Sequence, residues 1–163
     1  MTQGSLNIPV QIFPDFKLLE PADALLLEAA RTATEHAYAP YSRFRVGAAI
    51  RLANGQIITG SNQENASFPA GICAERVTLS AASSVYPGIA ITDLALSYTN
   101  ESDTSNRPVS PCGICRQTLS EYEQRFGRSI RLILGGISGE IYVFSRATDL
   151  LPFAFGSQEL KRH

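Results

Sequence analysis

The sequence predicts an α/β protein, a three-layer α/β/α sandwich around a mixed five-stranded sheet. Three observations predict it. Apolar positions recur at helical spacing in separate stretches, other stretches of strand length lie between turn residues, and the two kinds of segment interleave along the 163 residues. Strands that alternate with helices need a sheet covered on both faces. An opening hairpin among them makes that sheet mixed rather than wholly parallel.

Residues 1–20 are expected to form an N-terminal extension, polar and Pro-containing at their start, ahead of a single domain over residues 21–163. A chain of this length is most simply one domain and can bury a core without disulfide support. The spacing predicts a first helix from Pro21 to Tyr38. Pro21 suits its first turn, Leu25, Leu26, Ala29, Ala30 and Ala33 form its apolar stripe, and Pro40 stops it. Phe44 to Leu52 reads as a strand, Asn54-Gly55 as a hairpin turn and Gln56 to Ser61 as the return strand. Pro69 and Gly71 mark the approach to an Ala-rich, buried helix over Cys73 to Ser84. Thr92 to Tyr98 is a third strand, and Glu101 to Arg107 a polar loop. Cys112 to Phe126 is a helix closed by Gly127. Ile130 to Gly135 and Glu140 to Phe144 complete the sheet, with Ser138-Gly139 between them, and a short helix follows over Ala147 to Leu151.

The formal net charge is −1 and charged residues make up 18% of the chain. That balance offers no electrostatic case for nucleic acid or an acidic membrane as partner. The N-terminus lacks the basic start and apolar run of a signal peptide, and no stretch is apolar enough to span a bilayer. A cytoplasmic protein is the expectation. Three cysteines are an odd number without an export signal, so a disulfide framework is not expected.

Cys112 and Cys115 stand three apart at a helix start, where both side chains point to one face. Such a pair can grip one ion, act as a redox dithiol or be two buried small residues. Cys73 adds a thiol at the start of another helix. Helix N-termini are electropositive and stabilise thiolate, so three thiolates at two helix starts can converge on one tetrahedral metal. Four protein ligands close a structural zinc site, whereas three leave a position for water. Candidates for a fourth ligand are few: His36, in or near the first helix, reads as structural or surface, and His163 is the last residue. Glu75 lies two residues after Cys73, in the first turn, where it can reach a ligand held above the helix end. Alone, a glutamate there would merely complement the helix dipole.

Cys73-Ala74-Glu75-Arg76 and Pro111-Cys112-Gly113-Ile114-Cys115-Arg116-Gln117 together resemble the zinc nucleoside and base deaminases. The all-cysteine form is similar to the small homotetrameric cytidine deaminases. Tyr41 to Ala49 resembles that family's first strand, Gly60 to Ala66 its ribose-binding segment, and Leu150 to Phe155 its C-terminal aromatic segment. The resemblance runs from about Tyr41 to Leu160.

What the resemblance implies can be stated residue by residue. Cys73, Cys112 and Cys115 would hold one zinc ion per subunit, and Glu75 would shuttle protons. Asn62 and Glu64 would bind the ribose 3′-hydroxyl, Phe44 would pack on the pyrimidine, and backbone groups at Ala74 and Ser110 would contact the base. Phe155 would lie over a neighbouring subunit's substrate, in a homotetramer with shared sites. Arg76 would hydrogen-bond the cysteine sulfurs and draw charge from a site that three thiolates leave net negative. The implied reaction is hydrolytic deamination of cytidine and 2′-deoxycytidine to uridine and 2′-deoxyuridine, with release of ammonia, in pyrimidine salvage. In it, zinc-bound hydroxide attacks C4.

Three other readings compete. A structural or redox cysteine protein would need a fourth ligand or cycling thiols. A deaminase of nucleic acid would need a cationic track for phosphates. A deaminase of a cytosine-containing antibiotic shares the cysteine motifs, but Asn62, Glu64 and Arg76 favour cytidine. The loop over Glu101 to Arg107 leads toward the metal cysteines and either shapes access or is surface.

Overall fold

The computed structural model describes residues 1–160, so His163 lies outside the described residues. Its strands are β1 (Gln11–Phe13), β2 (Phe44–Leu52), β3 (Ile57–Ser61), β4 (Ile91–Asn100), β5 (Arg131–Gly135) and β6 (Ile141–Phe144); its helices are α1 (Pro21–Ala33), α2 (Ala74–Val85), α3 (Gly113–Phe126) and α4 (Ser157–Leu160). The strands make one open sheet in the order β1-β6-β5-β4-β2-β3. Only β4 and β5 run parallel, joined by a crossover through α3, and the other neighbours are antiparallel.

The sheet therefore has six strands rather than the expected five. The additional one, β1, comes from the N-terminal extension and pairs Gln11, Ile12 and Phe13 with Val143, Tyr142 and Ile141. Three residues at a sheet edge carry too little alternation to be read alone; β6 supplies their register. The extension is also packed, since Leu19 is buried and Phe13 and Phe16 lie against the core.

Successive strand residues point to opposite faces, and β2 shows what that achieves. Ala48, Ile50 and Leu52 join a core cluster with Leu79 of α2 and Leu119 of α3. Ala49 joins a second cluster with Leu26, Leu27 and Ala30 of α1. At Gly47 a Cβ atom would fall 2.0 Å from the Ala30 carbonyl oxygen, so the absence of a side chain lets α1 lie directly on the strand.

The register of α1 differs from the expected stripe. Leu25 is 62% exposed, while Leu27 is fully buried. The inward face runs through Asp23, Leu26, Leu27, Ala30 and Ala33, and the polar Asp23 at its head disguises it. The helix also ends at Ala33, giving way to a 3-10 turn over Thr34–His36 before Pro40 is reached. Gly127 closes α3 at φ 59°, as expected of a left-handed cap. Among the described residues, no helix is long and apolar enough to cross a membrane.

At one end of the sheet, two acids and two bases from four elements lock together. Arg131 Nη2 and Nη1 meet Asp23 and Asp93 at 2.7 and 2.8 Å, and Arg51 meets Asp93 at 3.1 Å. Both carboxylates are buried, so removing one orphans donors in a partly dry setting. Asp93→Ala should lower stability by about 2–3 kcal/mol, less than the roughly 3–5 kcal/mol of a fully buried pair, because the arginines are partly exposed. Chemical denaturation checks this; an unchanged midpoint would show that the cluster is not a clasp.

Candidate metal centre and active site

The opposite end of the sheet gathers the functional residues. Leu96 stands toward the C-terminal half of β4, Phe44 opens β2, and Asn62 and Glu64 follow β3. In an open α/β sheet the carboxyl ends of parallel strands are where crevices form. Here a cavity of about 600 Å³ is lined by Phe44, Asn62, Glu64, Cys73 and Glu75, with Ala74, Ser110 and Cys112 also on its wall.

Two helices begin at this cavity. Cys73 is the residue before α2 and Cys112 the residue before α3, and neither helix end is capped by a side-chain hydrogen bond from its own N-cap. Both thiols thus sit beside the positive end of a helix without bonding to its first-turn N–H groups, and lie against one another instead. Cys115 lies one turn into α3 and is fully buried.

The three sulfurs all lie within 4.8 Å of one another, the Cys73–Cys112 and Cys112–Cys115 separations being 3.7 and 3.5 Å. Tetrahedral zinc bound at about 2.3 Å to each thiolate requires sulfurs about 3.8 Å apart. The donor set thus fits zinc in both chemistry and spacing. Among the described residues this is the one cluster of three or more His, Cys, Asp or Glu side chains suited to a metal, and His36 is not part of it. The triad therefore leaves a tetrahedral ion one position.

The electrostatics follow from the same geometry. The Cys73 thiol is brought down to about 6, chiefly because the Cys115 thiol donates to its sulfur, with Cys112 and the charge of Arg76 adding to the effect. The Cys115 thiol is pushed up by that same hydrogen bond and by burial. Glu75 is 4% exposed, and burial holds its carboxyl above the ordinary range. Arg76 acts on Cys73 through its charge; no hydrogen bond from it to a sulfur is formed among the described residues.

Glu64 is set the other way. Its carboxylate accepts from the Ser42 hydroxyl and from the Tyr41 and Ser42 amides, and these hold it below the usual carboxylate range. Asn62 serves the fold as well as the cavity: its Oδ1 accepts from the Val46 amide at 2.8 Å and its Nδ2 donates to the Phe44 carbonyl at 2.9 Å. The side chain continues the β2–β3 ladder past the end of β3. Phe44 is backed by the buried ring of Tyr98, stacked at 5.0 Å between centroids.

Phe155 is not brought to this cavity. It is 59% exposed, and Phe153 nearby is 99% exposed with φ 59°. Ser42, Val46, Leu96 and Val109 complete the wall and were not foreseen. The hydroxyl of Ser42 had no signal beyond its place beside the strand, while Leu96 was legible only as core. The Glu101–Arg107 loop is fastened at Ser105, which is buried, accepts from the Asn100 amide at 3.0 Å and receives the Ile137 amide at 2.8 Å. Its far end leads to Val109 and Ser110, which line the cavity, although residues 101–107 themselves do not.

A family model described as "Cytidine and deoxycytidylate deaminase zinc-binding region" matches residues 21–127. The chain is 37% identical over 136 residues to a cytidine deaminase of Halalkalibacterium halodurans, covering 83% of this chain and 96% of that one. It is 39% identical over 133 residues to a cytidine deaminase of Mycobacterium tuberculosis, covering 82% and 89%. The solved structure of a cytidine deaminase from Burkholderia pseudomallei matches with a TM-score of 0.69 at 38% identity, covering 80% of this chain and 97% of that one.

Replacing any one of Cys73, Cys112 or Cys115 with Ala should abolish stoichiometric zinc. Metal analysis of the purified variants checks this, and a variant that keeps zinc as tightly as the parent would exclude the altered residue as a ligand.

Proposed function

The chain belongs to the cytidine and deoxycytidylate deaminase family, and we propose that it catalyses zinc-dependent hydrolytic deamination of cytidine and 2′-deoxycytidine to uridine and 2′-deoxyuridine in pyrimidine salvage. The observation that carries this reading is the buried carboxyl of Glu75 sharing one cavity with two of the three thiols. Cys73, Cys112 and Cys115 would hold the zinc, which would supply a Lewis acid able to lower the pKa of water toward neutrality.

The chain's own residues supply the rest. Glu75 takes the proton from the attacking water and delivers it to ring N3 so that C4 becomes more electrophilic; it then takes the second proton from the hydroxyl left on C4 and passes it to the amine, which departs as ammonia. Burial, which favours its protonated form, suits it to carry each proton in turn. Phe44, stiffened by Tyr98, packs against the pyrimidine face. The backbone at Ala74 and Ser110 meets the base edge. Glu64 is an ionised acceptor for a ribose hydroxyl, and Asn62 has a second amide N–H free to donate beside it. Their position on the cavity wall supports a nucleoside rather than a free base as substrate.

Arg76 draws charge from the Cys73 sulfur and so offsets the excess of negative charge that three thiolates bring. Phe155 serves a neighbouring subunit of a homotetramer; its exposure, and its absence from this chain's own cavity, support that reading. The core clusters on the two faces of the sheet support a three-layer arrangement for a single domain over residues 21–163, to which the extension over residues 1–20 adds its edge strand.

Glu75→Gln should keep its zinc and its fold while losing about 10²–10⁴-fold in turnover. Loss of the cytidine absorbance band on mixing, with zinc content measured in parallel, checks this. Near-parental turnover would remove Glu75 from the proton path. Free cytosine, lacking the ribose that Asn62 and Glu64 address, should be a far poorer substrate than cytidine in the same assay; equal rates would contradict the ribose contacts.

A further inference from the structure

On α3, Cys115 is followed by Arg116 and Gln117, to which the proposed chemistry assigns no role. Arg116 is half-buried and divides its guanidinium between two carbonyls from distant parts of the chain. Its Nε donates to Pro111 O at 2.8 Å and its Nη1 to Leu150 O at 2.9 Å. The Pro111 carbonyl belongs to the peptide that leads into the ligand Cys112. Ser110 and Cys112 on either side of Pro111 both line the cavity. Pro111 precedes the helix, so its carbonyl is not engaged in the ladder of α3 and needs a donor from elsewhere.

Leu150 ends the 3-10 turn over Ala147–Leu150 and opens the segment that carries Phe153 and Phe155. The same face of α3 holds that segment twice more. Gln117 Nε2 donates to Phe155 O at 2.8 Å, and Gln124 Oε1 accepts from the Ser157 amide at 3.1 Å. Gln117 and Gln124 thus bond the C-terminal segment but not the metal loop, whereas Arg116 bonds both.

We propose that Arg116 is a positioning residue that fixes the Pro111–Cys112 peptide, and with it the zinc ligand, while tying the metal loop to the C-terminal aromatic segment. The planar fork of an arginine presents two donors in fixed directions, which is what two carbonyls facing one point require. A lysine reaches one of them at a time. Groups that orient a metal ligand from behind typically contribute about 10–100-fold to metal retention. The proposal rests on the three-cysteine zinc site but not on the identity of the substrate.

The test is the rate at which zinc passes from the purified protein to an excess of a chromogenic chelator. Arg116→Met should release zinc about ten-fold faster than the parent, and Arg116→Lys, which can restore one of the two bonds, should fall between them. Gln117→Ala should release zinc at the parental rate. Asp93→Ala, destabilised at the opposite end of the sheet, should also release it at the parental rate, which separates positioning from stability. If Arg116→Met does not fold, the comparison of Arg116→Lys with the parent decides. Parental release from both Arg116 variants, or release from Gln117→Ala or Asp93→Ala as fast as from them, would overturn the proposal. Cytidine turnover is read separately: faster zinc release in the Arg116 variants of a protein inert toward cytidine would sustain the positioning role and refute the substrate.

Discussion

Everything at this site depends on two helices beginning at the same place. α2 and α3 pack on the same face of the sheet, and each has a cysteine at its N-cap, beside the positive end of the helix. Cys73 and Cys112 come together only because the strand–helix connections on either side of β4 bring both helix starts to one end of the sheet. Cys115, one turn into α3, is then on the correct face to join them. The small residues at this end, Ala74 buried between the thiol and the glutamate among them, leave room for a cavity instead of filling it.

The two ends of the sheet divide the work. At one, Asp23, Arg51, Asp93 and Arg131 pair acids with bases and knit α1, β2, β4 and β5 together. At the other, ionisable groups are kept in opposed environments: Glu64 is surrounded by donors, Glu75 is deprived of water, and one thiol of the triad is stabilised as its anion. Environments that drive neighbouring carboxyl groups apart are how a single fold assigns one to accept hydrogen bonds and another to move protons.

The site was more legible in the sequence than the fold's details were. Cysteine is rare, and its spacing together with an adjacent glutamate restricts the chemistry before any coordinates are known; the triad stands where that spacing implied. Strand and helix identities were also readable, because β2, β4 and α3 carry long periodic patterns. β1 was hidden because three residues cannot show a period. Leu25 was misplaced because a buried Asp23 broke the apolar stripe. The double duty of Asn62, the backing of Phe44 by Tyr98, and the salt-bridge clasp all join residues far apart in the chain. No local pattern encodes such pairings. The 101–107 loop was legible only as polar; that Ser105 is buried and anchors it follows from where β5 and β6 turn.

The number of protein ligands decides the chemistry of the site, since three thiolates leave a place for water and four ligands would not. X-ray absorption at the zinc edge of the purified protein measures it most directly. Three sulfur neighbours at about 2.3 Å and one oxygen neighbour at about 2.0 Å are expected. A shell of four sulfurs, or three sulfurs with an imidazole nitrogen, would contradict this and return the cysteines to a structural role.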